Sequence, residues 1–129
     1  MNKMIIANNY KEIKDYFDFT DSIITDMKWN NPLDLSITID YYWDTQENRE
    51  KNRILALHFK DCLAVEYKIK KEILEMSRDD IHFDSLFTII RFENVEANSS
   101  GFHHFHIYTF DYKEPLLKII CKQVQLEEV

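Results

Sequence analysis

Glycine is almost missing from this chain: Gly101 is the only one in 129 residues. Loops that cradle phosphates need several glycines so that the backbone can approach the ligand. Neither a P-loop nor a GxGxxG turn can be built here, which argues against a nucleotide-dependent enzyme of the usual kinds. Cysteine is scarce too. Cys62 and Cys121 stand far apart, with no CxxC and no metal-ligand spacing. Each lies in an apolar, strand-like run, where a free thiol behaves as a small hydrophobe. A disulfide between them requires that their strands be neighbours. Long apolar runs are also lacking. The patch around Met4-Ile5-Ile6-Ala7 is far shorter than a signal-peptide core, and no run reaches the length of a membrane span. A cytoplasmic protein with no membrane partner is the expectation.

Basic charge is thin: 16 Lys and Arg face 23 Asp and Glu, for a net charge of −7. Binding a phosphate backbone needs clustered cations, and Lys68-Ile69-Lys70-Lys71 is short and followed by acids, so no nucleic-acid partner is expected. An acidic surface favours solubility and attraction to basic partners. GxSxG is absent, so no nucleophile elbow is present.

What is abundant is apolar area. The hydrophobic fraction is 45% and the aromatic fraction 14%, enough for a core in a single domain spanning 1–129. From Leu33 to Asp44 apolar and polar residues alternate. In a strand, Leu33, Leu35, Ile37, Ile39, Tyr41 and Trp43 share one face and Asp34, Ser36, Thr38, Asp40, Tyr42 and Asp44 the other. A strand wet on one side belongs to an antiparallel sheet. Asn9 followed by Glu12 has the form of a capping box, and Ile13, Tyr16 and Phe17 recur at helical spacing, which predicts a helix over about 9–17. Further strands are expected at about 22–29 (Ile23, Met27 and Trp29 facing one way), 53–59, 62–69, 85–94, 102–110 and 116–126. Turns are placed at Lys60-Asp61, in the loop from Ala97 to Gly101, and at Asp111 to Pro115. Residues 70–78 read as a strand extension ending in a turn at 77–80, and 81–83 as a brief pairing. The fold expected is mainly β: an antiparallel sandwich or strongly curved sheet with one short N-terminal helix.

Two constellations bear on chemistry. In Phe102-His103-His104-Phe105-His106, a strand puts His104 and His106 on one face, a spacing that suits a metal-binding module or a metal-dependent enzyme; a catalytic zinc site usually needs a third ligand. The other is the polar side of the alternating strand. Asp34, Asp40, Tyr42 and Asp44, with Glu47 beyond, form an acidic, Tyr-containing contact surface for a basic protein. No cofactor and no catalytic residue are expected, oligomeric state is left open, and a small-ligand carrier with an aromatic-lined cavity would use the same residue types.

Phe19-Thr20-Asp21-Ser22-Ile23, the stretch Leu35 to Trp43, Phe92-Glu93-Asn94-Val95 and the ending Leu117 to Leu126 together resemble small β-rich bacterial immunity-type proteins of polymorphic toxin systems, or a related family. The similarity spans most of the chain. A His often precedes the Asp of the first motif in such sequences; Thr20 stands there here. The resemblance implies a non-enzymatic cytoplasmic protein that blocks a toxin domain by binding it, and it transfers no site residues.

Overall fold

A computed structural model describes residues 4–42, 53–95 and 101–129. Its strands are β1 (Met4–Ala7), β2 (Ile23–Asn31), β3 (Asp34–Tyr41), β4 (Arg53–Tyr67), β5 (Arg91–Val95), β6 (His103–Tyr108) and β7 (Leu117–Glu128). Its helices are α1 (Tyr10–Tyr16), α2 (Lys71–Leu74) and α3 (Phe83–Phe87), with a 3-10 turn at Arg78–Asp80. The fold is mainly β, with every strand pairing antiparallel in one sheet of order β2-β3-β4-β7-β6-β5, and β1 added beside β7. The two ends of this order meet at one corner. Ile23 bridges to Thr88, the Asp21 N–H donates to the Ile89 carbonyl at 2.8 Å, and the Ile89 N–H donates to the Ser22 carbonyl at 2.7 Å. Of the two arrangements expected, the single curved sheet is the one seen.

The alternation in β3 does what its pattern demands. Leu35, Ile37, Ile39 and Tyr41 are all buried in the core. Leu33 falls outside the pattern: it sits in the turn before β3 and is 55% exposed. Facing β3 across the core side are Leu55, Leu57 and Phe59 of β4, paired with Ile39, Ile37 and Leu35. Tyr10 and Ile13 of α1 close over this face; the Tyr10 ring lies 5.5 Å from Phe92 and 5.6 Å from Phe105. The helix starts where the capping box places it. Asn9 Oδ1 accepts the Glu12 N–H at 2.9 Å, and the Glu12 carboxylate accepts from the Asn8 N–H at 3.1 Å and from Asn9 Nδ2 at 3.2 Å.

Several expectations need correction. The Lys60-Asp61 turn does not separate two strands; β4 runs straight through it. Asp61 does take the left-handed conformation a turn residue favours, with φ 56°, but the pairing with β7 continues in register across it, and a bulge follows between Cys62 and Ala64. Residues 71–74 and 83–87 are helical rather than extended, and only 91–95 of the long strand expected from 85 is a strand. Thr88 ends α3: its N–H donates to the Asp84 carbonyl at 2.9 Å and its hydroxyl to the same oxygen at 2.5 Å. The helix expected near the N-terminus therefore has two short companions. β1 is a strand where the sequence shows only an apolar patch. In β2 a bulge between Ile24 and Asp26 puts Ile24 opposite Ile39, so Ile24 rather than Ile23 enters the core. The loop from Ala97 to Ser100, with Trp43, Asp44 and Glu47, lies outside the described residues.

Inward and outward positions should separate cleanly in stability. Phe105→Ala removes a fully buried ring and is expected to cost about 3–5 kcal/mol. Leu33→Ala should stay within about 0.5 kcal/mol of the parent. Urea denaturation of the two variants checks this; equal costs would contradict the assigned faces.

Candidate functional site

The outer face of the sheet, opposite the core, carries the polar side chains of β3, β4 and β7, and three of them join. Ser36 pairs with His58 in the β3–β4 register, and Glu127 pairs with Ala56, two residues along β4 from His58. Alternation therefore puts all three on one side. Asn30 Nδ2 donates to Ser36 Oγ at 2.5 Å, Ser36 Oγ lies 2.6 Å from His58 Nδ1, and His58 Nε2 contacts Glu127 Oε2. With the hydrogen placed on Nε2, the donors run in one direction: Asn30 to Ser36, Ser36 to His58, His58 to Glu127.

This is the hydrogen-bonding order of a serine-hydrolase triad, and sequence reasoning missed it. The only available signal was outward parity on three strands whose register had not been set. The order alone does not make a nucleophile. Ser36 is 8% exposed, sits mid-strand between β2 and β4, and has its hydroxyl covered by the Asn30 amide. An acyl-transfer site needs donors aimed at a developing oxyanion and room for the reacting carbon. A 450 Å³ cleft lies elsewhere, lined by Asn94, His103, Phe105 and Lys122 among others. We read the chain of bonds as a polar clamp that ties four strands together.

Next to the clamp the outer face turns apolar and exposed. Ile5 of β1 pairs with Glu127 and is 43% exposed; Ile54 of β4 pairs with Asp40 and is 39% exposed. Val129 donates its N–H to the Ile54 carbonyl at 3.0 Å and is 46% exposed. Tyr42, two residues beyond Asp40, is 38% exposed, and its N–H donates to Ser22 Oγ at 2.9 Å. Asp40 Oδ1 is buried and has no hydrogen-bond partner among the described residues.

Asp40 and Tyr42 thus fall together at one end of β3. Asp34 falls at the other end, eight residues before Tyr42, roughly 27 Å away at about 3.4 Å per residue. Its carboxylate accepts Asn31 Nδ2 at 2.8 Å and the Asp61 N–H at 3.1 Å. These two bonds, the Asn31 amide first, hold its carboxyl below the usual range. Asp44 and Glu47 lie outside the described residues.

His104 and His106 do share the outer face, on β6, where His106 pairs with Glu93 on one side and Lys118 on the other. Among the described residues no group of three or more His, Cys, Asp and Glu is placed to hold a metal ion. His106 Nδ1 lies 3.3 Å from the Tyr108 hydroxyl. Burial, and next the Lys118 ammonium, push the His106 imidazole below its ordinary value. No protein-family model, curated protein or solved structure matches the chain.

Two outcomes follow. His58→Ala leaves Glu127 with no imidazole to donate to it and should cost about 1–3 kcal/mol by urea denaturation. The double variant His58→Leu/Glu127→Leu should recover most of that loss, since an apolar pair replaces the polar one. A double variant no better than the single would contradict the clamp. The second outcome concerns pH. Because the folded His106 titrates below its unfolded value of 6.5, the unfolded chain binds more protons in that window, and stability falls as pH drops below 6.5 through the folded value. An NMR titration of the imidazole should give a midpoint under 6.5.

Proposed function

We propose that this protein acts by binding another protein, through the outer face at the Asp40 end of the sheet. The observation that carries the reading is the combination at that end. Four exposed apolar side chains, Ile5, Tyr42, Ile54 and Val129, share that face with a carboxylate that has a buried, unpaired oxygen among the described residues. Apolar residues rimmed by polar ones are the usual form of a contact patch. Asp40 as a whole is only partly buried, so its carboxylate sets a negative charge at the edge of the patch that favours an Arg or Lys on the partner. With a net charge of −7, the chain as a whole attracts basic surfaces at long range.

The immunity-type resemblance gives this reading its specific form: a cytoplasmic protein that neutralises a basic toxin domain by occupying it. Small size and a surface without an accessible nucleophile at Ser36 are in keeping with that role. The acidic surface read from the sequence is narrowed by this reading. Asp40 and Tyr42 belong to the patch, and Ile5, Ile54 and Val129 join it.

The test is affinity capture from the native organism with the parent chain and with Asp40→Lys and Ile54→Glu variants, each first shown to keep the parent circular-dichroism spectrum. A basic partner held by the parent should bind each variant at least about 30-fold more weakly, the scale of a hot-spot residue. Capture of the same partner by both variants at parental strength would remove this surface from consideration.

A further inference from the structure

The two cysteines, far apart in sequence, are brought face to face. Cys62 of β4 and Cys121 of β7 are direct register partners in the antiparallel ladder. Residues so opposed have Cα atoms roughly 4.5–5.5 Å apart, inside the roughly 4.4–6.8 Å range that a disulfide spans. Both side chains lie on the core side: Cys121 is fully buried in the core cluster and Cys62 packs against it, partly buried. Their sulfurs lean the same way along the ladder. Cys62 Sγ donates to the Phe59 carbonyl at 3.3 Å and Cys121 Sγ to the Gln123 carbonyl at 3.5 Å, and those carbonyls belong to neighbouring rungs, Phe59–Val124 and Lys60–Gln123. Each thiol is thus held by a weak bond that a side-chain rotation can break. The bulge between Cys62 and Ala64 supplies local slack in the backbone.

We propose that Cys62 and Cys121 form an intramolecular disulfide site, closed by a low-molecular-weight disulfide such as oxidised glutathione and opened again by thiols. The more accessible Cys62 reacts first. Its thiolate attacks one sulfur of the oxidant, the oxidant's S–S bond breaks, and one glutathione thiolate leaves and takes up the Cys62 proton. The Cys121 thiolate then attacks the Cys62 sulfur, the mixed disulfide breaks, and the second glutathione leaves and takes up the Cys121 proton. Two protein thiols are oxidised and one glutathione disulfide is reduced to two thiols. Burial pushes both cysteines above their ordinary values, Cys121 to about 12. The first attack is therefore slow, as befits a structural bond rather than a catalytic one. The closed bond staples the two longest strands at the bend of the sheet. It also constrains the unfolded chain across a long loop.

The experiment treats the folded, full-length chain with oxidised glutathione, without denaturant. The parent is expected to lose about 2 Da, the two hydrogens of the thiols, to form no covalent dimer, and to lose both thiols to alkylation. Its urea midpoint should rise, and dithiothreitol should restore the original value. In Cys121→Ala, where the resolving thiol is gone, glutathione should remain attached to Cys62. A parent that retains bound glutathione, forms covalent dimers, or closes the bond only when unfolded in urea would overturn the proposal. So would a closed bond that lowers the midpoint.

Discussion

The structure depends on keeping one face of the β4–β7 pair buried from end to end. β4 spans 15 residues and β7 spans 12, and the pair carries β3 on one flank and β6 and β1 on the other. Strict alternation cannot keep a pair this long in contact with one core as it bends. The buried positions show how the bend is made. Along β4 they run Leu55, Leu57, Phe59, then Cys62 and Val65, partly buried; along β7 they run Leu117, Ile119, Cys121, then Val124 and Leu126. The three-residue step at 59–62 in β4 is matched by the one at 121–124 in β7, while a second step in β4, at 62–65, faces a two-residue step in β7 across the bulge between Cys62 and Ala64. The matched steps preserve the burial of both strands, and they put the two cysteines on the same rung.

The outer face follows from that register. Once β3, β4 and β7 are aligned, Ser36, His58 and Glu127 must meet on a face that is only partly wet. Half-buried polar groups are costly when left without partners, and these satisfy one another. The clamp also opposes slippage. A one-residue shift between β3 and β4 would turn His58 toward the core and Leu57 toward water. Its contribution is therefore to specificity of pairing as much as to stability.

How much of this was legible in the sequence differs by element. Leu35 to Tyr41 was readable because a one-sided strand writes its burial directly into alternation, and α1 because Asn9 and Glu12 form a local cap. Local chemistry misled where tertiary context set the outcome. Asp61 does carry the backbone of a turn, but the strand continues because β7 pairs with both sides of it. The segment from Ser85 to Ile90 is rich in β-favouring residues, yet 83–87 closes as a helical turn while Ile89 is drawn into the core and bonds to Ser22 and Asp21. On the candidate surface, Asp40 and Tyr42 could be placed together from parity. Ile5, Ile54 and Val129 could not, since nothing local in the sequence joins β1, β4 and the C-terminus.

Asp34 shows why an acidic residue on the right face need not belong to a contact surface. The chain has one glycine, so its tight corners are built with side chains that stand in for backbone partners. At the turn into β3, Asn31 Oδ1 accepts the N–H groups of Leu33 and Asp34 at 2.8 and 3.0 Å. The Asp34 carboxylate then reaches across to the Asp61 N–H, and Leu33 contributes its carbonyl to the Cys62 N–H at 2.8 Å. Asp61, in the left-handed region where glycine is usual, is thereby held from the neighbouring strand. The charge on Asp34 is committed to the bend that the β4–β7 pair requires. Asp40 has no such commitment among the described residues: one of its oxygens is buried beside exposed apolar side chains with no hydrogen bond to satisfy it. Two aspartates six residues apart on one strand face thus differ in what holds them: Asp34 closes the fold on itself, and Asp40 keeps an oxygen that the described residues leave unbonded.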